Sequence, residues 1–270
     1  MTNANKGGRA VALAVWLLAA AVVMLAFSRR WLPALASDHG AGVDRMLHFT
    51  MLTAGILIVV CHGALGYMLW RFGGRERAGF RPVSERSQRR WSLAAAVFMA
   101  LVAEGGVLAV GLPVWAQYFG SSAPANALTI EVTAEQFAWN VRYAGPDGVF
   151  GRTDPKFYTL DNPVGVDPAD PRGRDDIVAL NVLHAVAGRP VRIRLRAKDV
   201  VHSFFLPNFR VKQDAVPGMT IEFWFTPTRE GRFELACAQL CGFGHYEMKG
   251  ILIVQSPEEF RKWFEEQSRG

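Results

Sequence analysis

Cysteine is scarce in this chain, which has three among 270 residues, at positions 61, 237 and 241. So few thiols exclude the disulfide framework that stabilises many small exported domains. Cys61 lies beside His62 inside an apolar run, where packing is the simplest role. Cys237 and Cys241 are close in sequence, so a local disulfide and a metal site both remain open for them at this point.

Acidic residues are also in short supply, with 24 against 30 lysines and arginines, which gives a net charge of +6. A basic chain can bind nucleic acid, but seven of the arginines are concentrated in residues 71–90. The excess is therefore local and does not indicate a nucleic-acid partner. Apolar residues make up 50% of the chain and the mean hydropathy is +0.12, values that indicate a membrane protein.

Two apolar runs, residues 46–70 and 91–115, are each long enough to cross a bilayer and carry tryptophan near an end. They predict a transmembrane helical hairpin. The arginine-rich connection between them, residues 71–90, predicts a cytoplasmic loop by the positive-inside rule. The chain after residue 115 is then expected outside the cytoplasm.

An earlier apolar run, residues 9–27, is about 19 residues long and follows a short basic start. Ala34-Leu35-Ala36 has the form of a signal-peptide cleavage site before Ser37, whereas the length of the run and the Arg29-Arg30 pair favour a retained helix. Both interpretations put Ser37 outside the cytoplasm. The expected organisation is a signal peptide or extra helix in 1–36, the hairpin in 37–120 and an exported domain in 121–270.

The exported part predicts an all-β domain followed by a short helix. Alternation of apolar and polar residues at 191–196 predicts a strand with one buried face. Further strands are predicted at 128–132, 138–143, 177–183, 220–226, 232–236 and 250–254, with His184 in a turn and a loop excursion at 145–174. Ser256, Pro257 and Glu259 predict a capped helix to about residue 267. This pattern favours a Greek-key sandwich or barrel of the cupredoxin type.

One loop, residues 237–248, holds two thiols, an imidazole and a thioether, from Cys237, Cys241, His245 and Met248. Such ligands select copper, whereas a structural zinc site uses cysteines or histidines in two spaced pairs and no methionine. His202, at the end of another predicted strand, supplies a further imidazole. The set exceeds the two histidines, one cysteine and distant methionine of a blue-copper site. The spare thiolate suggests two coppers bridged by sulfur.

These ligands belong to a longer pattern, in which Val201-His202-Ser203 precedes Cys-x3-Cys-Gly-x2-His-x2-Met, with Pro207, Lys212, Asp214 and Pro217-Gly218 between them. The pattern resembles the binuclear copper (CuA) domain of cytochrome c oxidase subunit II, over roughly residues 131–263, and the likeness extends to the membrane hairpin. The resemblance implies that the two cysteines bridge the coppers and that each histidine binds one of them. It also implies that Met248 and the backbone carbonyl of Gln239 are the weak ligands.

The resemblance also implies a function. A metal site whose positions are all filled by protein has no open position for a substrate, and it suits electron transfer. The chain is then expected to pass electrons from cytochrome c, or another periplasmic cytochrome, to subunit I of a haem–copper oxidase, which reduces oxygen to water and translocates protons. Six histidines provide no set for haems as well, so haems are expected only in the partner subunits.

Two other functions remain open at this stage. A subunit that feeds a membrane nitric oxide reductase would carry a similar copper loop. A copper carrier would use exposed and exchangeable ligands, whereas this loop is expected to be held between two strands, which gives a site its rigidity.

Three positions depart from the family or carry unexplained charge. Gln239 stands where many members have a glutamate that binds magnesium, and a neutral amide is a poor ligand for a hard cation, so that site is expected to be weak or absent. Phe137 stands in place of the tryptophan through which electrons enter, while Trp139 keeps the second aromatic position. Glu104 lies inside the third apolar run, where a carboxyl is costly; proton handling and a hydrogen-bonded helix contact both remain open for it.

Overall fold

The computed structural model of the chain describes residues 3–28, 31–73 and 82–269. The chain forms two compact units, one made of Met1–Trp31 and Asp44–Pro113, and the other made of Leu32–Val43 and Val114–Gly270. The central part of the predicted cytoplasmic loop, residues 74–81, and the Arg29-Arg30 pair lie outside the described residues.

The first unit is helical. The helical elements are α1 (Asn3–Ser28), α2 (Gly40–Phe72), α3 (Glu85–Phe98), a π-helical turn (Met99–Glu104) and α4 (Gly105–Phe119), the last three forming one continuous helix. The first residues of α2 and the last residues of α4 belong to the second unit. Three segments are long and apolar enough to cross a membrane, Lys6–Ser28, Gly40–Phe72 and Glu85–Phe119. Each contains one of the three apolar runs of the sequence.

Small residues let these helices approach closely, as is common between membrane helices. The indoles of Trp16 and Trp70 stack with ring centroids 5.9 Å apart, and a side chain on Gly66 would collide with Trp16. A side chain on Gly106 would likewise collide with the ring of Phe49. The glycines near Glu104 therefore serve the contact between α4 and α2.

The second unit is a sandwich of two five-stranded sheets. Its strands are β1 (Leu128–Glu135), β2 (Ala138–Tyr143), β3 (Ile177–Leu180), β4 (Val182–Val186), β5 (Val191–Ala197), β6 (His202–Leu206), β7 (Val211–Ala215), β8 (Ile221–Phe225), β9 (Gly231–Cys237) and β10 (Lys249–Gln255). The order is β3-β2-β1-β5-β8 in one sheet and β4-β10-β9-β6-β7 in the other. Most pairs are antiparallel, but β1 with β5 and β10 with β4 are parallel. This architecture confirms the predicted cupredoxin-like sandwich.

The predicted strand at 177–183 is wrong, because the chain changes sheets within it. Asn181 has a left-handed backbone, with φ of 61°. Its side-chain oxygen accepts a hydrogen bond from the amide of Trp139, and its carbonyl accepts one from the amide of Ile251. Asn181 therefore divides β3 from β4. His184, predicted in a turn, lies within β4.

The C-terminal helix α5 (Pro257–Gln267) confirms the predicted cap. The Ser256 side chain accepts from the Glu259 amide, and the Glu259 side chain accepts from the Ser256 amide, so the capping box is complete.

The segment between α1 and α2 is part of the sandwich. The amide of Ala36 donates to the carbonyl of Asn208 at 2.8 Å, and its carbonyl accepts from the amide of Thr228 at 2.9 Å. Ala36 is fully buried in the core. The hydroxyl of Ser37 donates to the carbonyl of Phe209 at 2.7 Å. This short segment therefore packs in the core of the second unit and pairs with its backbone.

Candidate metal centre

Strand pairing in the second sheet brings the predicted ligands together. Cys237 is the last residue of β9, and it pairs with Phe204 of β6, the strand that His202 begins. The ligand loop then returns into β10, which pairs antiparallel with β9. The loop is closed by hydrogen bonds from the amide of Cys237 to the carbonyl of Met248, and from the amide of Ala238 to the carbonyl of Ser203. A loop fixed at both ends in this way holds its side chains rigidly.

The donor atoms converge in one cluster, in which His245 is partly exposed and the other ligands are buried. Cys237 Sγ lies 3.7 Å from Cys241 Sγ. Cys241 Sγ is 3.6 Å from His245 Nδ1 and 3.8 Å from Met248 Sδ. His202 Nδ1 lies 3.1 Å from Met248 Sδ, and the ligand atoms of His202 and the two cysteines all fall within 4.8 Å of one another. The structure thus unites five residues that the sequence separates by up to 46 positions.

The chemistry of this donor set fits a soft or borderline metal cation. The two cysteines are free thiols, and their sulfurs are much further apart than the roughly 2.05 Å of a disulfide. Burial, and then the hydrogen bond with Cys237, raise the pKa of Cys241 to about 11. Two adjacent thiolates are therefore unfavourable by themselves, and a bound cation is what would hold them deprotonated.

Each histidine presents its Nδ1 atom to the cluster. His202 is fully buried, and its Nε2 atom lies 2.8 Å from Oδ1 of Asp199. Burial alone would raise the pKa of Asp199, but hydrogen bonds from His202 and from two backbone amides outweigh burial and lower it. Sequence analysis missed Asp199, although a carboxylate three residues before a candidate histidine ligand is a recognisable signal for a supporting residue.

The turn between β1 and β2 covers the ligand loop. The side-chain amide of Gln136 donates to the carbonyl of Cys241 at 2.6 Å. The ring of Phe137 lies against the loop so closely that a side chain on Gly244 would come within 2.5 Å of it. Phe137 is partly exposed, so it lies between the buried cluster and the solvent.

The other predicted site residues lie in different surroundings. Trp139 is fully buried, with its ring centroid 6.3 Å from that of His202. Gln239 exposes its side chain, while its carbonyl oxygen lies 3.2 Å from Cys237 Sγ. Glu104 lies at the end of the π-helical turn in the helical unit, and it is exposed in this chain.

A sandwich with a buried cluster of thiols, imidazoles and a thioether, preceded by apolar helices of spanning length, defines a membrane-anchored electron-transfer protein. The family model for the periplasmic domain of cytochrome c oxidase subunit II matches residues 128–256. An alternative cytochrome c oxidase subunit 2 from Bradyrhizobium diazoefficiens is 36% identical over 262 residues, covering 96% of this chain and 92% of that protein. The chain belongs to the cytochrome c oxidase subunit II family.

Other relatives agree in name. The cytochrome c oxidase subunit 2 of Cereibacter sphaeroides is 29% identical over 218 residues, covering 76% of this chain and 68% of that protein. Among solved structures, the periplasmic domain of subunit II of cytochrome oxidase from Bradyrhizobium japonicum is 29% identical with a TM-score of 0.41, covering 55% of this chain and 98% of that one. The chain is accordingly the electron-transfer subunit of a haem–copper oxidase and takes part in catalysis as one subunit of that enzyme.

Proposed function

We propose that this chain passes electrons from cytochrome c to the haem-bearing subunit I of its oxidase through a binuclear copper (CuA) centre. Cys237 and Cys241 would bridge the metals, His202 and His245 would each bind one, and Met248 would be a weak ligand. The observation that carries the proposal is the distance of 3.7 Å between the two cysteine sulfurs. His245 Nδ1 lies next to Cys241 Sγ, and His202 Nδ1 lies next to Met248 Sδ. When bound, two coppers that share thiolates spread one electron over both metals and so lower the rearrangement that transfer requires.

The residues around the centre support a relay and disfavour a carrier or an open catalytic site. His202, Cys241 and Met248 are each at most 4% exposed. The backbone carbonyl of Gln239, close to Cys237 Sγ, is available as a further weak ligand. Ligands this buried would exchange a metal poorly with another protein, which favours a relay over a carrier, although His245 is partly exposed.

Electrons would enter near Phe137. Its ring covers Gly244 of the ligand loop and is partly exposed, whereas Trp139 is buried behind His202 and would act only as packing or as part of the electron path. Gln239 exposes a neutral amide, which supports a weak or absent magnesium site. Haems would be confined to the partner subunits.

The chain would be a multi-pass protein of a bacterial inner membrane, with residues 37–120 containing the hairpin and 121–270 forming the periplasmic domain. The sandwich contacts of Ala36 and Ser37 support retention of α1 as a third membrane helix. Cleavage after Ala36 would remove a fully buried core residue and two of its backbone hydrogen bonds, so a signal-peptide role is disfavoured.

Glu104 would meet a neighbouring subunit of the oxidase within the membrane. A carboxyl inside a membrane span is costly unless it faces protein or water, and Glu104 is exposed in the isolated chain. Its position at a π-helical turn, a feature frequent at functional sites, supports a role in proton handling at that contact.

The test is electron paramagnetic resonance on the copper-loaded full chain. Hyperfine splitting from one electron shared by two copper nuclei is expected, and it should be lost in Cys241→Ser. Cys61→Ser is the matched control, because Cys61 is an exposed thiol of α2, and it should leave the spectrum unchanged. A signal confined to one copper in the unsubstituted chain would overturn the binuclear proposal.

A further inference from the structure

We propose that Asp199 is a positioning residue of the metal centre, which holds the ring of His202 with Nδ1 facing the metal and joins the covering turn to the ligand loop. The inference rests on the proposed copper centre for its spectroscopic consequences. Its structural part concerns only the residues of this chain.

Both oxygens of Asp199 are engaged by donors. Oδ1 accepts from His202 Nε2 at 2.8 Å and from the amide of Val200 at 2.7 Å. Oδ2 accepts from the amide of Gln136 at 2.7 Å, across 63 positions of sequence. A carboxylate used in this way is fixed in orientation, in contrast to an ordinary surface aspartate.

The first consequence is the tautomer of His202. An ionised carboxylate can only accept hydrogen bonds, so Nε2 of His202 carries a proton, and in the neutral imidazole the lone pair is then on Nδ1. Nδ1 is the atom that faces Met248 Sδ. Asp199 therefore selects the nitrogen that is available to a metal before any metal arrives, as carboxylates behind histidine ligands do in other metal sites.

Burial of His202 makes this selection strong. The imidazole is fully buried, so a ring turned to the other orientation would leave Nε2–H among sulfur atoms without a good acceptor. A buried donor without an acceptor is unfavourable, because it loses its hydrogen bonds to water and gains none in return. The side chain of Asp199 is 31% exposed, so water can reach it, but it is the Asp199 oxygen that holds the imidazole.

The second consequence is a chain of contacts from the turn to the loop. Asp199 fixes the backbone of Gln136, and the Gln136 side chain donates to the carbonyl of Cys241. The next residue, Phe137, covers Gly244. One carboxylate thus orients the ligand His202 and also fixes the turn that packs on the ligand loop.

The charge of Asp199 should also tune the metal. A carboxylate behind an imidazole makes the ring a stronger electron donor, which favours the more highly charged, oxidised state. Removing the charge should raise the reduction potential, and removing the side chain should lower copper affinity 10–100-fold, the range typical for such supporting residues.

The experiment compares Asp199→Asn and Asp199→Ala with an Asp161→Asn control, an exposed carboxylate of the loop excursion, all in the full chain. In the copper-free protein, nitrogen-15 NMR of labelled histidine reports the His202 tautomer. In the copper-loaded protein, the reduction potential, the hyperfine pattern and the copper affinity are measured. Asparagine can still accept from Nε2–H, so Asp199→Asn should keep the tautomer and raise the potential. Asp199→Ala should give mixed tautomers and weaker copper binding.

The outcomes separate this inference from the proposed centre. An unchanged tautomer and unchanged copper affinity in Asp199→Ala would overturn the positioning role. A mononuclear signal in the unsubstituted chain would overturn the binuclear centre and leave the tautomer result valid. If Asp199→Ala fails to fold, Asp199→Asn decides, because an unchanged potential in that variant also contradicts the proposal.

Discussion

The imidazole of His184 and the indole of Trp263 lie face to face, with ring centroids 3.9 Å apart and planes 8° from parallel. The contact joins β4 of the sandwich to helix α5. His184 Nδ1 also lies 2.8 Å from Oε1 of Gln255 on β10, and Trp263 meets the ring of Tyr143 edge-on at 5.1 Å. One aromatic cluster therefore attaches the C-terminal helix to both sheets.

This cluster should make stability depend on pH. Burial, opposed by the hydrogen bond to Gln255, lowers the pKa of His184 below 6.5. The unfolded chain then takes up this proton at a higher pH than the folded chain, so the free energy of unfolding should fall as pH drops below about 6.5. His184→Phe should reduce that fall, measured by chemical unfolding in detergent at pH 7 and pH 5. Lys262→Gln, on the exposed side of α5, should leave this pH dependence of the free energy of unfolding unchanged. If His184→Phe loses as much stability between pH 7 and pH 5 as the unsubstituted chain, His184 is not the cause.

Sequence reasoning found the ligands because four of them lie in one short loop and copper chemistry restricts their types. It missed Asp199: the carboxylate three residues before His202 is a signal in the sequence, but its contact with a turn 63 residues away exists only in the fold. It also missed the division at Asn181. Asparagine adopts a left-handed backbone more readily than most residues, but the contacts with β2 and β10 that stabilise it here exist only in the fold. His184 is predicted in a turn because it follows the predicted strand at 177–183, and its stacking partner Trp263 is distant in sequence. In each case the deciding interaction is between strands or between sheet and helix.

Removing one partner of a buried ion pair beneath the loop excursion should strongly destabilise the sandwich. Arg142 and Asp176 are each 1% exposed in their side chains, and Arg142 Nη2 lies 2.9 Å from Asp176 Oδ2. Arg142→Met would leave that carboxylate buried without its cation, which typically lowers the free energy of unfolding by about 3–5 kcal/mol. The same change at Arg152, whose side chain is 66% exposed, should have a much smaller effect because solvent screens its ion pairs. Denaturant unfolding of the two variants checks the difference, and similar losses in both would contradict it.

The mature chain should retain α1. Intact-mass measurement of protein purified from membranes is expected to give an N-terminus ahead of Ser37, because Ala36 is a core residue of the sandwich. Ala34→Arg is a suitable companion variant. Ala34 is exposed and its backbone carbonyl is kept, so the sandwich should tolerate the change, but arginine would destroy the small-residue cleavage pattern. The two proteins should have the same N-terminus. A mature chain that begins at Ser37, and becomes longer in Ala34→Arg, would refute retention.

Glu104 should matter to the assembled oxidase more than to the isolated chain. Glu104→Leu removes the hydrogen-bonding capacity that a partner within the membrane would use, whereas Glu104→Gln retains it without the charge. We expect Glu104→Leu to reduce recovery of intact oxidase. Glu104→Gln should assemble but show reduced proton translocation per electron in vesicles. Leu101→Ala, an exposed change in the same π-helical turn, is the control. Full assembly and unchanged proton translocation in both Glu104 variants would contradict the proposed contact.

The packing of Phe137 against the ligand loop should control how fast electrons arrive from cytochrome c. A methyl group at Gly244 would come within 2.5 Å of the Phe137 ring, and since the φ of Gly244 is −87°, Gly244→Ala tests this contact without backbone strain. Displacing the ring should slow electron uptake several-fold in stopped-flow measurements while the copper spectrum stays the same.

The control is a double-mutant cycle with Phe137→Leu, because coupled neighbours give non-additive effects. Phe137→Leu alone should slow uptake, and adding Gly244→Ala should slow it little further, since the ring that the methyl group would displace is already gone. Additive slowing would mean that the two positions act separately, and an altered copper spectrum in Gly244→Ala would mean that the change acts on the ligands and not on the path by which electrons enter.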